Sequence, residues 1–280
     1  MKVLVTGSSG FVGQHVVREL IKKHNVYILT RDIENIRCYD WFDAVNVIET
    51  DIYDSFSFSQ NLQIKPDALI HLSWQGIPYY KDKSHVDIYH DKNLTFLKAA
   101  IRYGINNISV TGSCLEYGLR EGELDEDDDT MPVTEYGKAK DMLRRNMESI
   151  ANDKLAFKWI RLFYMYGEGQ NPKSLIPQLH VAYEENKKIF GVSNTEHMRD
   201  FMKVEDVAYF ICKAIENINI NGLINCCSGN PIKLGQFLEN YCNEMQINIQ
   251  IKSGLYPEND YEPRAFWGKR GKMEKILNNE

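Results

Sequence analysis

The sequence lacks any apolar run approaching the roughly 18 residues a membrane-spanning helix needs, and it opens into a strand-like segment without the long apolar core of a secretory signal. A cytoplasmic protein with no membrane partner is expected. None of the six cysteines (Cys38, Cys114, Cys212, Cys226, Cys227, Cys242) forms a C-x-x-C pair. A chain of 280 residues builds its core without disulfides, so free thiols and no metal site are expected. Cationic excess is also missing. With 33 Lys+Arg against 39 Asp+Glu, the formal net charge is −6, which leaves no footprint for a nucleic acid, since such binding rests on neutralised phosphates. No repeat is visible, and the one low-complexity stretch, "ELDEDDDT", reads as a solvated acidic loop rather than a metal site.

What is present is alternation. "KVLVT", "NVYILT", "AVNVIET", "DALIHLS" and "NISVTGS" read as strands, separated by helical patterns over residues 11 to 23 and 84 to 103. Strands rich in Val and Ile alternating with helices imply βαβ units and an α/β, doubly wound parallel sheet. A helix on "TEYGKAKDMLRRNMESIA" and strands on "FKWIRLF" and "LINCCSG" continue the pattern. Pro- and Gly-punctuated stretches such as "GEGQNPKSLIP" and "SGLYPENDYEPRAFWGKRGK" read as loops of a small C-terminal substrate-binding cap. The expected division is residues 1–165, joined by about 203–228, for the sheet domain, with 166–202 and 229–280 for the cap.

Directly after the first strand, Gly7, Gly10 and Gly13 are spaced G-x-x-G-x-x-G and open a helix, the context a dinucleotide fingerprint requires. Glycines at such a turn permit positive φ and close approach to a pyrophosphate, while the helix N-terminus supplies amides. Ser9, Phe11 and Val12 fall within the same cradle. The alternative is a plain Gly-rich turn. At the end of the second strand an acidic residue would hold the ribose 2′-OH of NAD, and an arginine would favour the 2′-phosphate of NADP. Here stand Thr30, Arg31 and Asp32. NADP(H) is favoured through Arg31, with NAD(H) possible through Asp32. Asp51 and Ile52 are placed to hold an adenine edge, or form an ordinary strand end.

"EYGKAK" puts Tyr136 and Lys140 on one helical face, and Ser113 in "VTGSCLEYG" ends a strand at the sheet's carboxyl edge, where open α/β sheets bind ligands. Through the ordered motifs "TGSSGFVG", "TGSCLEYG", "YGKAK", "RLFYMYG", "RDFMKVEDV" and "NCCSG", nearly the whole chain resembles the extended short-chain dehydrogenase/reductases, a Rossmann-fold group of NAD(P)-dependent nucleotide-sugar epimerases, dehydratases and reductases. The resemblance implies that Tyr136 is the general acid/base, Lys140 lowers its pKa and binds the nicotinamide ribose, and Ser113 hydrogen-bonds the reacting oxygen. A nearby cation favours a phenolate. His71, Leu72 and Ser73 would line the cofactor. Asn93 would support the active-site water and Lys140, or is a surface helix residue. Arg199 would contact the substrate diphosphate. Arg264 is a second candidate for that role or a surface ion pair, and Cys114 and Asn171 would flank the substrate. Family members often dimerise, here through residues 84 to 103 and 134 to 151, so a homodimer is expected.

The chain departs from two branches of that family. Dehydratases carry Thr-Asp-Glu where this chain has Ser113, Cys114 and Leu115, so the carboxylates that would expel water are missing. Epimerase-reductases use a Cys two places beyond the serine and a His before "IP". Those places hold Leu115 and Ser174, and His180 falls after the proline. The expected function is NAD(P)H-dependent reduction of the C4 ketone of a nucleotide-activated 4-keto-6-deoxyhexose. Two alternatives stand, a nucleotide-sugar 4-epimerase with tightly held NAD and a non-catalytic dinucleotide-binding regulator.

Overall fold

Seven parallel strands run through the centre of the molecule: β1 (Lys2–Thr6), β2 (Asn25–Thr30), β3 (Asn46–Glu49), β4 (Ala68–His71), β5 (Asn107–Ser113), β6 (Ala156–Leu162) and β7 (Gly222–Cys226). This computed structural model describes residues 1–54, 58 and 60–278. Across the sheet the order is β7-β6-β5-β4-β1-β2-β3, so the chain reverses direction between β1 and β4. Every residue of β5 is buried, which is why that strand is almost continuously apolar or small rather than alternating with charges.

Successive side chains still go to opposite faces. Val3, Val5 and Ile28 pack with α1 (Phe11–Leu20), with α5 (Val204–Glu216) and with α7 (Gly271–Leu277). Leu4, Leu69 and Ile108 pack on the other face with α2 (His90–Tyr103) and α3 (Glu135–Ile150). Helix α2 ends at Gly104, whose φ of 101° is the left-handed stop that glycine takes without strain. The helix expected over 84 to 103 is not uniform, because a π-turn at His85–Tyr89 precedes α2. Such turns widen the backbone and are frequent at functional sites. This one carries His85, which accepts the Trp74 indole N–H at 3.0 Å.

A second core lies outside the sheet. Ile176 and Leu179 of α4 (Leu175–Glu184) meet Phe237 and Leu238 of α6 (Leu234–Glu244) and Phe190 from the short strand Ile189–Gly191. The Phe201 and Phe237 rings stack at 3.9 Å.

The acidic run is only partly the solvated loop expected. Its first residues form the strand Gly122–Leu124, which pairs in parallel with Phe266–Gly268 from near the C-terminus. Glu126 is half-buried and accepts the N–H groups of Asn225 at 3.0 Å and Lys272 at 3.3 Å, while burial holds its carboxyl above the usual range. Asp125 pairs with Lys269 at 2.6 Å. These carboxylates clasp the C-terminal segment against the sheet.

Candidate active site

The glycine loop between β1 and α1 is as tight as its spacing implies. Gly7 has φ +74°, and a Cβ there would lie 2.8 Å from the Ser73 nitrogen. A Cβ on Gly13 would lie 2.0 Å from the Gly7 carbonyl oxygen, so the helix touches the loop backbone. The N-terminus of α1 has no side-chain cap and no acidic residue in its first turn. Its orphan amides and positive dipole end therefore stay available, a donor set that fits the diphosphate of a dinucleotide. Ser9 is exposed, and its carbonyl is taken by the Tyr39 hydroxyl.

At the end of β2 the two cofactor candidates part company. The Asp32 carboxylate is engaged within its own turn, accepting the Glu34 N–H at 2.9 Å and the Asn35 amide at 2.8 Å. Arg31 is exposed, and its charge acts on the Tyr53 phenol. Asp51 closes a turn onto the Tyr53 N–H, while Ile52 is buried in the core. Leu72 and Ser73 follow β4 against the glycine loop, with the Ser73 N–H pointing to the Thr6 hydroxyl at 3.4 Å.

Under this loop runs a buried polar chain. The Thr6 hydroxyl meets His71 Nδ1 at 2.8 Å, and His71 Nε2 meets Asn93 Oδ1 at 2.8 Å. The amide oxygen only accepts, so Nε2 carries the imidazole proton and Nδ1 accepts from Thr6. Burial, then the Lys140 charge, brings His71 down to about 3, which keeps it neutral. Asn93 is fully buried and donates to the Tyr89 carbonyl at 2.6 Å. It is not a surface residue, and its side chain hydrogen-bonds His71, Tyr89 and Tyr53 rather than Lys140.

Ser113, Tyr136 and Lys140 converge at the carboxyl edge of the sheet, all buried. Ser113 is the last residue of β5. Its hydroxyl accepts the Leu115 N–H at 3.2 Å and acts on the Tyr136 phenol, lowering its pKa. Thr134 caps α3 by accepting the Gly137 N–H, which fixes the turn bearing Tyr136. One turn later, Lys140 donates to the Thr111 carbonyl at 2.7 Å, and its Nζ lies 4.1 Å from the Trp74 ring centre and 5.9 Å from that of Tyr136. The Tyr136 ring is walled by His85 at 5.4 Å, Tyr80 at 5.5 Å and Trp74 at 5.9 Å.

The electrostatics differ from the expectation that Lys140 makes the phenol acidic. Burial pushes Tyr136 well above its ordinary value, Tyr80, Glu116 and Cys114 add to the rise, and the Ser113 hydroxyl opposes it. Lys140 is itself brought down to about 7 by burial, with Glu116 opposing. Desolvation thus outweighs the attraction between the two groups, and both neutral forms are favoured.

On the substrate side, Cys114 is packed and burial pushes its thiol far up, so it is no nucleophile at neutral pH. Arg199 is buried. It donates to the Met198 and Arg264 carbonyls at 2.9 and 3.0 Å and meets Glu262 at 3.3 Å. Its charge already has an internal partner. Arg264 is exposed, and Asn171 closes its own turn by accepting the Lys173 N–H. Residue-by-residue reading missed Trp74, Tyr80, His85, Glu116 and Glu262. The aromatic density of "SWQGIPYYKDKSH" was the available signal for the first three. For Glu116 the signal was the S-x-x-E spacing from Ser113, a capping box whose carboxylate accepts the Ser113 N–H at 2.8 Å, whereas its other partners, Trp159 and Arg161, are 43 and 45 residues away.

Residues 3–227 match the NAD dependent epimerase/dehydratase family. Similar proteins include the dTDP-6-deoxy-L-talose 4-dehydrogenase (NAD(+)) of Aggregatibacter actinomycetemcomitans, 30% identical over 96% of this chain and 100% of the relative. The GDP-6-deoxy-D-talose 4-dehydrogenase of the same organism is 26% identical over 100% of this chain and 92% of its own. Among solved structures, the UDP-glucose-4-epimerase of Stenotrophomonas maltophila with bound NAD and formylated UDP-arabinopyranose superposes with a TM-score of 0.86 at 19% identity, covering 99% of this chain and 92% of that one.

Proposed function

The chain belongs to the NAD dependent epimerase/dehydratase family, and from that premise we propose that it is an NAD(P)-dependent oxidoreductase acting at C4 of a nucleotide-activated 6-deoxyhexose, reducing the 4-ketone to an alcohol. The observation that carries this reading is the convergence of Ser113, Tyr136 and Lys140 at the carboxyl edge of the sheet, with no paired carboxylates beside them among the described residues. Cys114 is inert, and Glu116 is bound in a buried ion pair with Arg161 at 2.8 Å. Such a site can exchange hydride and proton at one carbon, and among the described residues the positions that would carry the carboxylates for expelling water hold Cys114 and Leu115. The names of the two relatives describe the same bond change at C4 in the oxidative direction.

The Gly7–Gly13 loop and the α1 amides would hold the dinucleotide, which would supply the hydride for the carbonyl carbon. Burial keeps Tyr136 protonated, so its hydroxyl donates the proton that the forming alkoxide needs. Ser113, whose hydroxyl acts on the same phenol, shares that oxygen and orients it. The rings of Trp74, Tyr80 and His85 exclude water from the phenol. To Lys140, anchored on Thr111, we assign the nicotinamide ribose, and to Arg199 the diphosphate, which would require Glu262 to give way. We favour NADP(H), because Arg31 is exposed and the Asp32 carboxylate is engaged within its turn.

The test is a panel of dTDP-, GDP- and CDP-linked 4-keto-6-deoxy sugars with NADPH and with NADH, followed by absorbance and with the product identified by NMR. Stoichiometric loss of reduced nicotinamide with formation of a 4-hydroxy sugar is expected. Interconversion of 4-hydroxy sugars without net absorbance change would replace this reading with an epimerase, and binding without turnover would replace it with a regulator.

A further inference from the structure

Glu116 lies directly behind the reacting groups and has no exposed surface. One of its carboxylate oxygens accepts the Ser113 N–H at 2.8 Å, both lie 3.0 Å from the Trp159 indole nitrogen, and the other accepts the Arg161 Nε–H at 2.8 Å. Arg144 stands 3.9 Å away. Room for this arrangement depends on Gly112, where a Cβ would lie 2.1 Å from the Trp159 nitrogen and 2.5 Å from the Glu116 oxygen.

As a stability device the cluster is a poor one. The terminal nitrogens of Arg161 are buried without a hydrogen-bond partner, its guanidinium sitting 4.2 Å from the Tyr117 ring centre. Buried ion pairs in general stabilise no better than apolar residues of the same shape. What distinguishes this one is its place. The carboxylate holds the backbone of Ser113 through one bond and the indole of Trp159 through another. That indole in turn lies 5.9 Å from the Lys140 ammonium.

We propose that Glu116 is a positioning residue for the Ser113–Tyr136–Lys140 set: it fixes the serine through its backbone N–H and, through Trp159 and its own charge, holds the ammonium of Lys140. The role in catalysis rests on the C4 redox reading above. The local charges are consistent with it. Burial brings Lys140 down to about 7, and Glu116 is the group that opposes it. The other ionisable groups around the lysine and the carboxylate are His71 after β4, His85 in the π-turn, Tyr136 and Arg144 on α3, Cys114 and Tyr117 beside Glu116, and Arg161 on β6. Arg161, at 2.8 Å, and Arg144, at 3.9 Å, face the carboxylate. Removing its charge therefore lowers the lysine further, so less ammonium survives at neutral pH.

Two substitutions separate geometry from charge. Glu116→Gln keeps an acceptor for the Ser113 N–H and removes the charge. Glu116→Asp keeps the charge and draws the oxygens back by one methylene. Lysine-labelled protein is titrated by NMR, with the Lys140 signal identified by its loss in Lys140→Met, and kcat is measured across pH with the sugar panel. In Glu116→Gln the Lys140 titration and the alkaline limb of kcat should move down by at least one pH unit, with kcat at pH 7 reduced at least tenfold. In Glu116→Asp, kcat should fall at least tenfold while the lysine titrates within half a unit of wild type. A folded Glu116→Gln whose lysine titration is unmoved overturns the proposal. Should that variant fail to fold, Glu116→Asp decides, and kcat within twofold of wild type overturns it. If the wild-type chain reduces no sugar, the C4 reading fails, while the lysine titration still tells whether Glu116 holds the ammonium.

Discussion

Replacing Lys140 by Met should make the protein more stable while abolishing its activity, and the gain should depend on pH in a way only a buried lysine produces. Lys140 is brought from its ordinary 10.5 to about 7. At about 1.4 kcal/mol per tenfold change in proton affinity, holding the ammonium in this site costs about 5 kcal/mol at pH values where it stays charged. Losing the hydrogen bond to Thr111 returns about 1 kcal/mol of that. The sign follows from linkage. Below pH 7 folded and unfolded chains are both protonated at this lysine, so wild type bears the full cost. Between 7 and 10.5 the folded chain has released the proton and the unfolded chain has not, so wild-type stability rises with pH. The advantage of Lys140→Met is thus largest at pH 6.5 and should shrink by about 3 kcal/mol by pH 9.5. Urea unfolding of both proteins at the two pH values measures this. The other groups that titrate in that window, including buried Lys158, brought down to about 8, are common to both proteins and cancel. A difference between variant and wild type that stays constant within about 0.5 kcal/mol, near the scatter of additive mutational effects, would refute the argument.

Three further outcomes are expected. Tyr136→Phe should lower kcat at least about 100-fold, the scale of a lost general acid, while dinucleotide affinity, followed by NADH fluorescence, stays within about twofold. Gly13→Ala should cost about 1–3 kcal/mol through overpacking, since its Cβ would stand 2.0 Å from the Gly7 carbonyl. It should also weaken dinucleotide binding, and calorimetry and denaturant unfolding read the two effects separately. Arg31→Ala should raise the KM for NADPH about tenfold, the loss of about 1.4 kcal/mol from a charged contact, and leave that for NADH nearly unchanged. Equal effects on both would remove Arg31 from cofactor selection.

Local patterns carried most of the architecture. The strands β1, β2 and β5 cover the same stretches, KVLVT, NVYILT and NISVTGS, that their Val- and Ile-rich pattern marks in the sequence. The glycine spacing predicted a backbone that the Gly7 and Gly13 contacts show to be obligatory. Asn93 resisted because helical spacing alone does not say which polar residue turns inward. The acidic run misled for a related reason. Charge density predicts solvation, but Glu126 is drawn in by N–H groups of residues 99 and 146 positions away.

Which residues carry strands, helices and the phosphate loop is therefore written in neighbouring residues, because apolar periodicity and the steric freedom of glycine act over a few positions. The chemistry of the buried groups is not. That Tyr136 is held neutral, that Lys140 loses its proton easily, and that Glu116 is locked to Trp159 and Arg161 all follow from desolvation and from partners brought together across the sheet. Those forces depend on what surrounds a side chain in space, and they exist only once distant segments have closed around it.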